Sequence, residues 1–160
     1  MNLDEFGRPK LSEQALHCLL NPKKEYEKVD TYKGYTYCIW LNSAEGYRTV
    51  YVSIPETSSI YQKGVRDIDI CFNTDIPYFS YAGKLKSLPG WFLGWDYHHE
   101  WDGVDFEAIR NSYLDMPEIA EELIEYAQIV RPNSNSSFAS LSNVENTCKE
   151  LIDEIISRNI

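Results

Sequence analysis

Basic side chains are scarce in this chain of 160 residues, where 15 lysines and arginines face 25 aspartates and glutamates. The formal net charge of −10 excludes the usual class of nucleic-acid binder, because binding to phosphates needs an excess of basic groups. Long apolar runs are also absent, since none approaches the roughly 20 residues of a membrane helix, and residues 1–10 lack the apolar region of a secretory signal. We therefore expect a cytoplasmic protein that binds neither membranes nor nucleic acid directly.

Cysteine pairs and nucleotide-binding loops are missing as well. Cys18, Cys38, Cys71 and Cys148 are widely spaced and form no C-x-x-C pair, so we expect reduced, buried thiols. The chain has no P-loop, no G-x-S-x-G turn and no G-x-G-x-x-G loop. Nucleophilic hydrolysis therefore has no support in the sequence, and a protein without turnover is favoured over an enzyme.

The hydrophobic pattern changes from helical to alternating along the first third of the chain. Ser12 opens a short predicted helix that ends at Asn21-Pro22. After a charged linker over residues 23–30 the period becomes two, and side chains alternate along residues 35–41 and 47–54, with turn-forming residues between them. This pattern predicts an antiparallel hairpin.

Further extended segments are predicted at residues 68–72, 78–82 and 91–95. From Pro117 to Val130 the apolar residues recur at helical spacing, and Ser142-x-x-Glu145 is a capping box that opens a terminal helix. The polar connector of residues 131–140 separates these two helices, and its composition predicts a mobile segment.

These elements predict an α+β fold in a single domain of residues 1–160. Short strands that follow one another without intervening helices favour an antiparallel sheet of about five strands over a parallel sheet. The predicted order is a short N-terminal helix with a linker in residues 1–30, a β meander in residues 31–105, and two C-terminal helices in residues 115–160. We expect these two helices to pack on the sheet.

Almost all of the net charge lies in one segment. Residues 96–125 contain ten acidic side chains and the single base Arg110, whereas residues 1–95 contain equal numbers of acids and bases. The helix from Pro117 carries glutamates at i, i+3, i+4 and i+7, which form an acidic stripe with no lysine or arginine between them. A solvated face is one reading of such a stripe, and a docking surface is the other. The predicted partner-binding residues are Asp105, Glu107, Glu118, Glu121, Glu122 and Glu125.

A second group of polar residues lies where the last predicted strand ends and a glycine-bounded turn begins. Asp96, His99 and Asp102 are spaced by three, and two carboxylates with an imidazole suit Mg²⁺, Mn²⁺ or Zn²⁺. The alternative function is therefore a divalent-metal-dependent hydrolase or a metal-binding protein, although a polar loop without metal fits the same spacing. A third hypothesis is a ligand pocket with aromatic walls, lined by Trp91, Trp95 and Trp101.

Three motifs resemble a group of small uncharacterised proteins of phages and mobile elements. They are Tyr32-Lys33-Gly34-Tyr35, a G-x-x-x-x-Y-V-x-x-P stretch from Gly46 to Pro55, and a W-x-x-G-[FW]-D-x-x-H-x-x-D stretch from Trp91 to Asp102. The resemblance covers somewhat under half of the chain. It implies a phage setting, in which small accessory proteins often act on host machinery and acidic inhibitors of defence systems are prominent.

The leading hypothesis is an accessory binding protein of the host-cell cytoplasm that needs no cofactor. Its acidic segment would dock on a basic surface of a host protein, such as a CRISPR–Cas or other nucleic-acid-handling defence effector. Carboxylates one helical turn apart, about 5.4 Å, are spaced in a way that suits imitation of backbone phosphates. The protein would then be an anti-CRISPR-like inhibitor and a nucleic-acid mimic.

Overall fold

The computed structural model describes residues 3–7, 9–68, 72–73 and 78–160. It has the predicted α+β fold, with an N-terminal helix, a five-stranded antiparallel sheet and helices toward the C-terminus. In chain order the elements are α1 (Glu13–Leu20), β1 (Lys28–Tyr32), β2 (Tyr35–Asn42), β3 (Tyr47–Ile54), β4 (Tyr81–Gly83), β5 (Trp91–Asp96), α2 (Phe106–Ser112), α3 (Pro117–Val130) and α4 (Leu141–Ser157). None of the helices in the described residues has the length and apolar character of a membrane span.

The chain is organised in two compact units, each assembled from three segments. Unit 1 contains residues 1–25, 41–48 and 97–139, and unit 2 contains residues 26–40, 49–96 and 140–160. Unit 1 holds α1, α2 and α3, while unit 2 holds most of the sheet together with α4. The single domain expected from the sequence stays a prediction.

The strand order of the sheet is β1-β2-β3-β5-β4. The expected meander is therefore interrupted, because β5 pairs with β3 and leaves β4 on the outer side of β5. On β3, Val50, Val52 and Ile54 are buried, as their alternation predicts. Val50 lies opposite Trp95 of β5 and Val52 lies opposite Leu93, and both β5 side chains are buried too. This pair of strands contributes much of the apolar core of unit 2.

The three remaining predicted strands agree with the structure to different degrees. Residues 91–95 form most of β5, whereas the strand expected over residues 78–82 is shorter and lies at Tyr81–Gly83. The strand expected over residues 68–72 falls mainly on residues 69–71, which lie outside the described residues.

The first strand corrects the expectation of a charged linker over residues 23–30. Residues 28–32 pair with β2 instead, with Tyr32 opposite Tyr35. The two residues between these strands, Lys33 and Gly34, have φ angles of +49° and +82°, as a type I′ hairpin turn requires. The charged residues mislead because a strand at the edge of a sheet exposes side chains to solvent and tolerates charge there.

The buried thiols expected from the sequence are confirmed for three cysteines. Cys18, Cys38 and Cys148 are free and buried, and burial raises the pKa of Cys38 and of Cys148 to about 12. Thiols of this kind stay protonated and are poor nucleophiles at neutral pH. Cys71 lies outside the described residues.

The terminal helix α4 buries an apolar stripe in unit 2 and contacts the sheet. Its buried side chains are Val144, Cys148, Leu151, Ile152 and Ile155. The helix is capped by Ser140, whose hydroxyl accepts a hydrogen bond from a backbone N–H three residues on. The capping box expected at Ser142-x-x-Glu145 is therefore wrong. Glu145 instead accepts a hydrogen bond from the Tyr37 hydroxyl at 2.9 Å and pairs with Lys28 at 2.7 Å.

Protonation of Glu145 should weaken unit 2. The contact with Lys28, helped by Tyr37, lowers the pKa of Glu145 from its usual 4.5. These contacts therefore stabilise the folded state above that value and are lost as the pH falls through the folded-state pKa. We expect Glu145→Gln to lower the urea midpoint near pH 7, and the difference from the wild type to shrink as the pH is lowered below 4.5 and through the folded-state pKa.

Glu150→Gln is the matched control, because Glu150 is exposed on the same helix. It should keep the wild-type urea midpoint near neutral pH. Equal midpoints for the wild type and Glu145→Gln near neutral pH would contradict the stabilising role of Glu145.

Three helices share the apolar core of unit 1. α3 has the predicted bounds, Pro117–Val130, and packs against α1 and α2. The buried members of this core are Ala15, Cys18, Ala44, Val104, Ile109, Tyr113, Ile119, Ala120, Leu123, Ile124 and Ala127. α2 is missing from the sequence prediction. It is seven residues long and is capped by Asp105, whose carboxylate accepts a hydrogen bond from the N–H of Ala108 at 3.1 Å.

A buried ion pair joins three segments in the interior of unit 1. Arg48 Nη1 lies 2.8 Å from Asp105 Oδ2, and the two side chains are only 4% and 10% exposed. The same Nη1 donates to the carbonyl of Ala139 at 2.9 Å, and the N–H of Asp105 donates to the carbonyl of Gly46 at 3.0 Å. Gly46 has a φ of +69°, and a Cβ there would lie 2.8 Å from a Val104 methyl group. Only glycine fits this turn.

Removing one member of this pair should be much worse than removing both. Arg48→Met leaves the Asp105 carboxylate buried without its cation, which should lower the free energy of unfolding by about 3–5 kcal/mol. The double variant Arg48→Met/Asp105→Asn carries no buried charge at this point, so it should recover a large part of that loss in urea unfolding.

An exposed ion pair supplies the control for this measurement. Glu121 pairs with Arg110 at 2.8 Å on the surface of unit 1, and Glu121→Gln should change the free energy of unfolding far less than Arg48→Met. Equal losses in the Arg48→Met single variant and in the double variant would contradict the importance of the unpaired charge.

Candidate functional site

The two adjacent histidines lie in a loop that follows β5, residues 97–103, which we call the histidine loop. It belongs to unit 1. At its start the N–H of Tyr97 donates to the carbonyl of Arg48 at 3.0 Å, and at its end the N–H of Gly103 donates to the carbonyl of Ser137 at 3.1 Å. Both ends of the loop are thus held by backbone hydrogen bonds.

His99 and Asp102, which the sequence spacing predicts to act together, are in contact. His99 Nδ1 lies 2.8 Å from Asp102 Oδ2, and the same oxygen accepts a hydrogen bond from the N–H of His99 at 2.9 Å. The ring stacks on Trp101, with 4.7 Å between ring centroids and 2° between planes. A carboxylate at Nδ1 fixes the ring orientation and favours the tautomer in which Nε2 carries the lone pair.

His98 is oriented by a different pair of residues. Its ring stacks on Tyr47, with 4.0 Å between centroids and 13° between planes. Its Nε2 lies 3.8 Å from Glu45 Oε1, and Glu45 accepts a hydrogen bond from Asn42 Nδ2 at 3.1 Å. Each of the two imidazoles therefore has an aromatic ring on one face and a carboxylate nearby.

The polar connector of residues 131–140 holds the histidine loop, which corrects the expectation of a mobile segment. Arg131 Nη2 donates to the carbonyls of His99 and Asp102, both at 3.1 Å. Asn133 Nδ2 donates to the carbonyl of Glu100. The composition of the connector misleads because its polar side chains serve as hydrogen-bond donors to another loop.

A cleft of about 230 Å³ lies beside the histidine loop, entirely within unit 1. Its wall combines two imidazoles, two carboxylates, a guanidinium group and two apolar side chains. The lining residues are Glu45, His98, His99, Glu100, Val130, Arg131 and Pro132. Donors and acceptors thus converge on a space that can hold a small polar ligand.

Comparisons with known proteins give no family. No protein-family model, curated protein or solved structure matches the chain. The resemblance to phage and mobile-element proteins stays a prediction carried by its three motifs.

The three predicted metal ligands do not all come from one unit. His99 and Asp102 are in unit 1, whereas Asp96 ends β5 in unit 2, where it accepts a hydrogen bond from Ser80 Oγ at 3.3 Å. Within the described residues no group of three or more His, Cys, Asp or Glu side chains is arranged to hold a metal ion. The Mg²⁺, Mn²⁺ or Zn²⁺ site stays a prediction.

The aromatic ligand pocket is a separate hypothesis. Trp91 and Trp95 belong to unit 2 and Trp101 to unit 1. Trp95 is fully buried in the core, whereas Trp101 is 61% exposed. The tryptophans therefore have different environments, and the cleft described above is lined by other residues.

The glutamates of α3 have different environments, although they share one stripe. Glu121 pairs with Arg110 of α2 at 2.8 Å, which lowers the pKa of Glu121, and Glu107 of α2 lies 3.9 Å from the same guanidinium group. Glu118 and Glu125 are exposed. Arg110 of α2 therefore places a basic group beside the acidic stripe of α3. The spacing of residues on α3 alone does not reveal this contact. We call the exposed glutamates of these two helices the acidic face: Glu107, Glu118, Glu121 and Glu125.

Two of the predicted partner-binding residues have structural roles instead. Asp105 is buried, where it pairs with Arg48 and caps α2, so we exclude it from the acidic face. Glu122 is half-buried and accepts hydrogen bonds from both the backbone N–H and the hydroxyl of Ser12, the N-cap of α1. It fastens α1 to α3.

Sequence reasoning missed the residues that build the cleft around the histidines. Arg131, Glu45 and Tyr47 come from segments far from the histidine loop in sequence, and no motif links them to it. The one available signal is the position of Arg131, a lone cation directly after the acidic helix.

Gly103 provides a test of how tightly the loop is held. A Cβ at this residue would lie 2.2 Å from the carbonyl oxygen of Ser136, whereas one at Gly64 would meet only ordinary contacts at 3.6 Å. We expect Gly103→Ala to lower the free energy of unfolding by about 1–3 kcal/mol and to speed amide hydrogen exchange across residues 97–103. Gly64→Ala is the matched control, and exchange rates in the loop that are the same in both variants would contradict the tight docking.

Proposed function

We propose that this protein acts by binding a partner protein, and that its acidic face docks on a basic surface of that partner. The observation that carries the proposal is the uneven division of charge. Unit 1 contains 14 acidic and 7 basic residues, whereas unit 2 contains 11 and 8. This excess of negative charge in unit 1 attracts a basic partner over several ångströms.

The exposed glutamates supply the contact groups. The side chain of Glu107 is 72% exposed and that of Glu121 is 57% exposed. Glu118 and Glu125 make no hydrogen bond or ion pair with the described residues, so both carboxylates are available to a partner. α3 has no lysine or arginine of its own to offset its glutamates, and like charges three or four residues apart weaken a helix slightly. Helix stability therefore does not explain their position, whereas binding of a basic partner does.

An exposed leucine adds apolar area beside these charges. Leu114 lies between α2 and α3 in the sequence and is 74% exposed, next to Asp115, which is exposed too. Protein interfaces typically combine an apolar contact with a polar rim. Leu114 with its acidic neighbours has that composition.

The partner is proposed to be a nucleic-acid-handling protein of a phage host, such as a CRISPR–Cas or other defence effector. Basic channels of such proteins bind phosphates, and carboxylates at intervals of about 5.4 Å along α3 can occupy the same positions. The phage setting comes from the resemblance of the three sequence motifs. In this proposal the protein is an inhibitor that needs no turnover.

Reversal of two exposed charges tests the proposal. Glu118→Lys/Glu125→Lys should abolish capture of a partner from bacterial lysate, while circular dichroism and thermal unfolding stay as in the wild type. Capture by the wild type should weaken steeply with added salt, because interactions between exposed charges are screened over about 8 Å at physiological ionic strength. Added duplex DNA should release the captured protein.

The matched control carries the same change of net charge in unit 2. Glu56 and Glu150 are exposed there, and Glu56→Lys/Glu150→Lys should capture the partner as the wild type does. Equal capture by the wild type and both double variants would refute docking through the acidic face. If salt releases the partner and duplex DNA does not, nucleic-acid mimicry is refuted and docking through the acidic face is not.

A further inference from the structure

Arg131 is a cation in the wall of the cleft without a carboxylate partner among the described residues. Its Nη2 donates hydrogen bonds to the carbonyls of His99 and Asp102. Its Nη1 is buried and has no hydrogen-bond acceptor within the part of the chain that the structure describes. A buried donor without an acceptor is costly, and more so when it is charged. Among the described residues the guanidinium group therefore has neither a counter-ion nor an acceptor for its Nη1 donor.

A neighbour of Arg131 supplies a further donor. His98 lines the same cleft, and an imidazole N–H donates to anionic oxygens, whereas His99 directs its Nδ1 to Asp102. The planar guanidinium group matches phosphate oxygens in particular. Val130 and Pro132 add an apolar strip to the wall, which can contact the organic part of a ligand.

The size of the cleft restricts the ligand. Sites for drug-sized ligands measure about 300–1,000 Å³, and this cleft measures about 230 Å³. A nucleic-acid strand is therefore too large for this cleft, and the net charge of −10 disfavours such a ligand as well. Inorganic phosphate or a small phosphomonoester fits.

We propose that the cleft of unit 1 binds a small phosphate-bearing anion, with Arg131 supplying the positive charge. Arg131 Nη1 is shielded from bulk water. A phosphate oxygen in the cleft therefore reaches it only when the cleft wall moves slightly. The His98 side chain is 39% exposed and has more room for such a movement than the more enclosed His99. This site is independent of the acidic face.

The two carboxylates of the cleft oppose an anion, and one of them gives a sharp test. Glu45 lies near His98 and accepts a hydrogen bond from Asn42, so changing it would disturb the wall. Glu100 is exposed, and its contact with the connector is made by its backbone carbonyl, which accepts from Asn133. The Glu100 side chain can thus be changed without loss of that hydrogen bond.

The experiment is an NMR titration of the ¹⁵N-labelled full chain at constant ionic strength. We expect inorganic phosphate and phenyl phosphate to shift the Arg131 side-chain N–H and the amides of residues 97–103 in a saturable way, and sodium chloride to shift neither. Tighter binding of phenyl phosphate would assign the site to phosphomonoesters, because its ring can contact Val130 and Pro132. Equal affinity would assign it to free phosphate.

Glu100→Gln should bind phosphate about three- to fivefold more tightly than the wild type, because it removes a like charge a few ångströms from the anion. Glu118→Gln is the matched control: it changes the net charge of unit 1 equally, but Glu118 does not line the cleft. Its affinity should equal that of the wild type. Absence of a saturable shift at Arg131, an equal shift with chloride, or an equal gain in both variants would overturn the proposal. None of these results bears on partner binding by the acidic face.

Discussion

A buried carboxylate is costly when it is charged and has no partner, and in unit 1 Arg48 is the cation that pairs with Asp105. Such a pair adds little net stability because both charges lose their hydration, but it imposes a strict geometry, since either charge alone would be costly. Arg48 lies at the start of β3, Asp105 caps α2, and Ala139 accepts a hydrogen bond from the same guanidinium nitrogen. Three segments that are distant in sequence therefore meet at one point. Tyr97, the first residue of the histidine loop, donates its N–H to the carbonyl of Arg48, and the loop ends two residues before Asp105. Both ends of the loop are therefore close in sequence or by hydrogen bond to a member of the pair.

The elements that sequence reasoning located are those whose signal is local. α1 and α3 show helical spacing and β2 and β3 alternate, and each of these signals is contained within the element itself. The missed elements lack such a signal: β1 is a charged edge strand, and α2 is only seven residues long. The same division holds for the candidate site. The contact between His99 and Asp102 is local and was predictable from their spacing, whereas Arg131 reaches the loop only through the packing of unit 1.

The acidic residues show why spacing alone could not assign function. Along α3 the four glutamates are equivalent by position, yet Glu122 binds the N-terminus of α1 and Glu121 pairs with Arg110. Asp105 belongs to the same acidic segment and is buried as part of an ion pair. What distinguishes these carboxylates is the neighbour that each meets after folding. Four of the six predicted partner-binding residues are exposed glutamates, three of them on α3 and the fourth, Glu107, on α2.

The connector between α3 and α4 has the composition of a flexible spacer, with serine or asparagine at every position of residues 133–137. It is instead joined to the histidine loop at several points: Asn133 donates to the carbonyl of Glu100, Ser137 accepts from the N–H of Gly103, and Gly103 lies against the carbonyl of Ser136. A protein engineer choosing a place for an epitope tag, a fluorophore or a protease site would choose this segment from the sequence. An insertion there would shift the register of the two loops and disrupt the cleft. The hairpin turn at Lys33 and Gly34, exposed and open to solvent, is the safer place for such a graft.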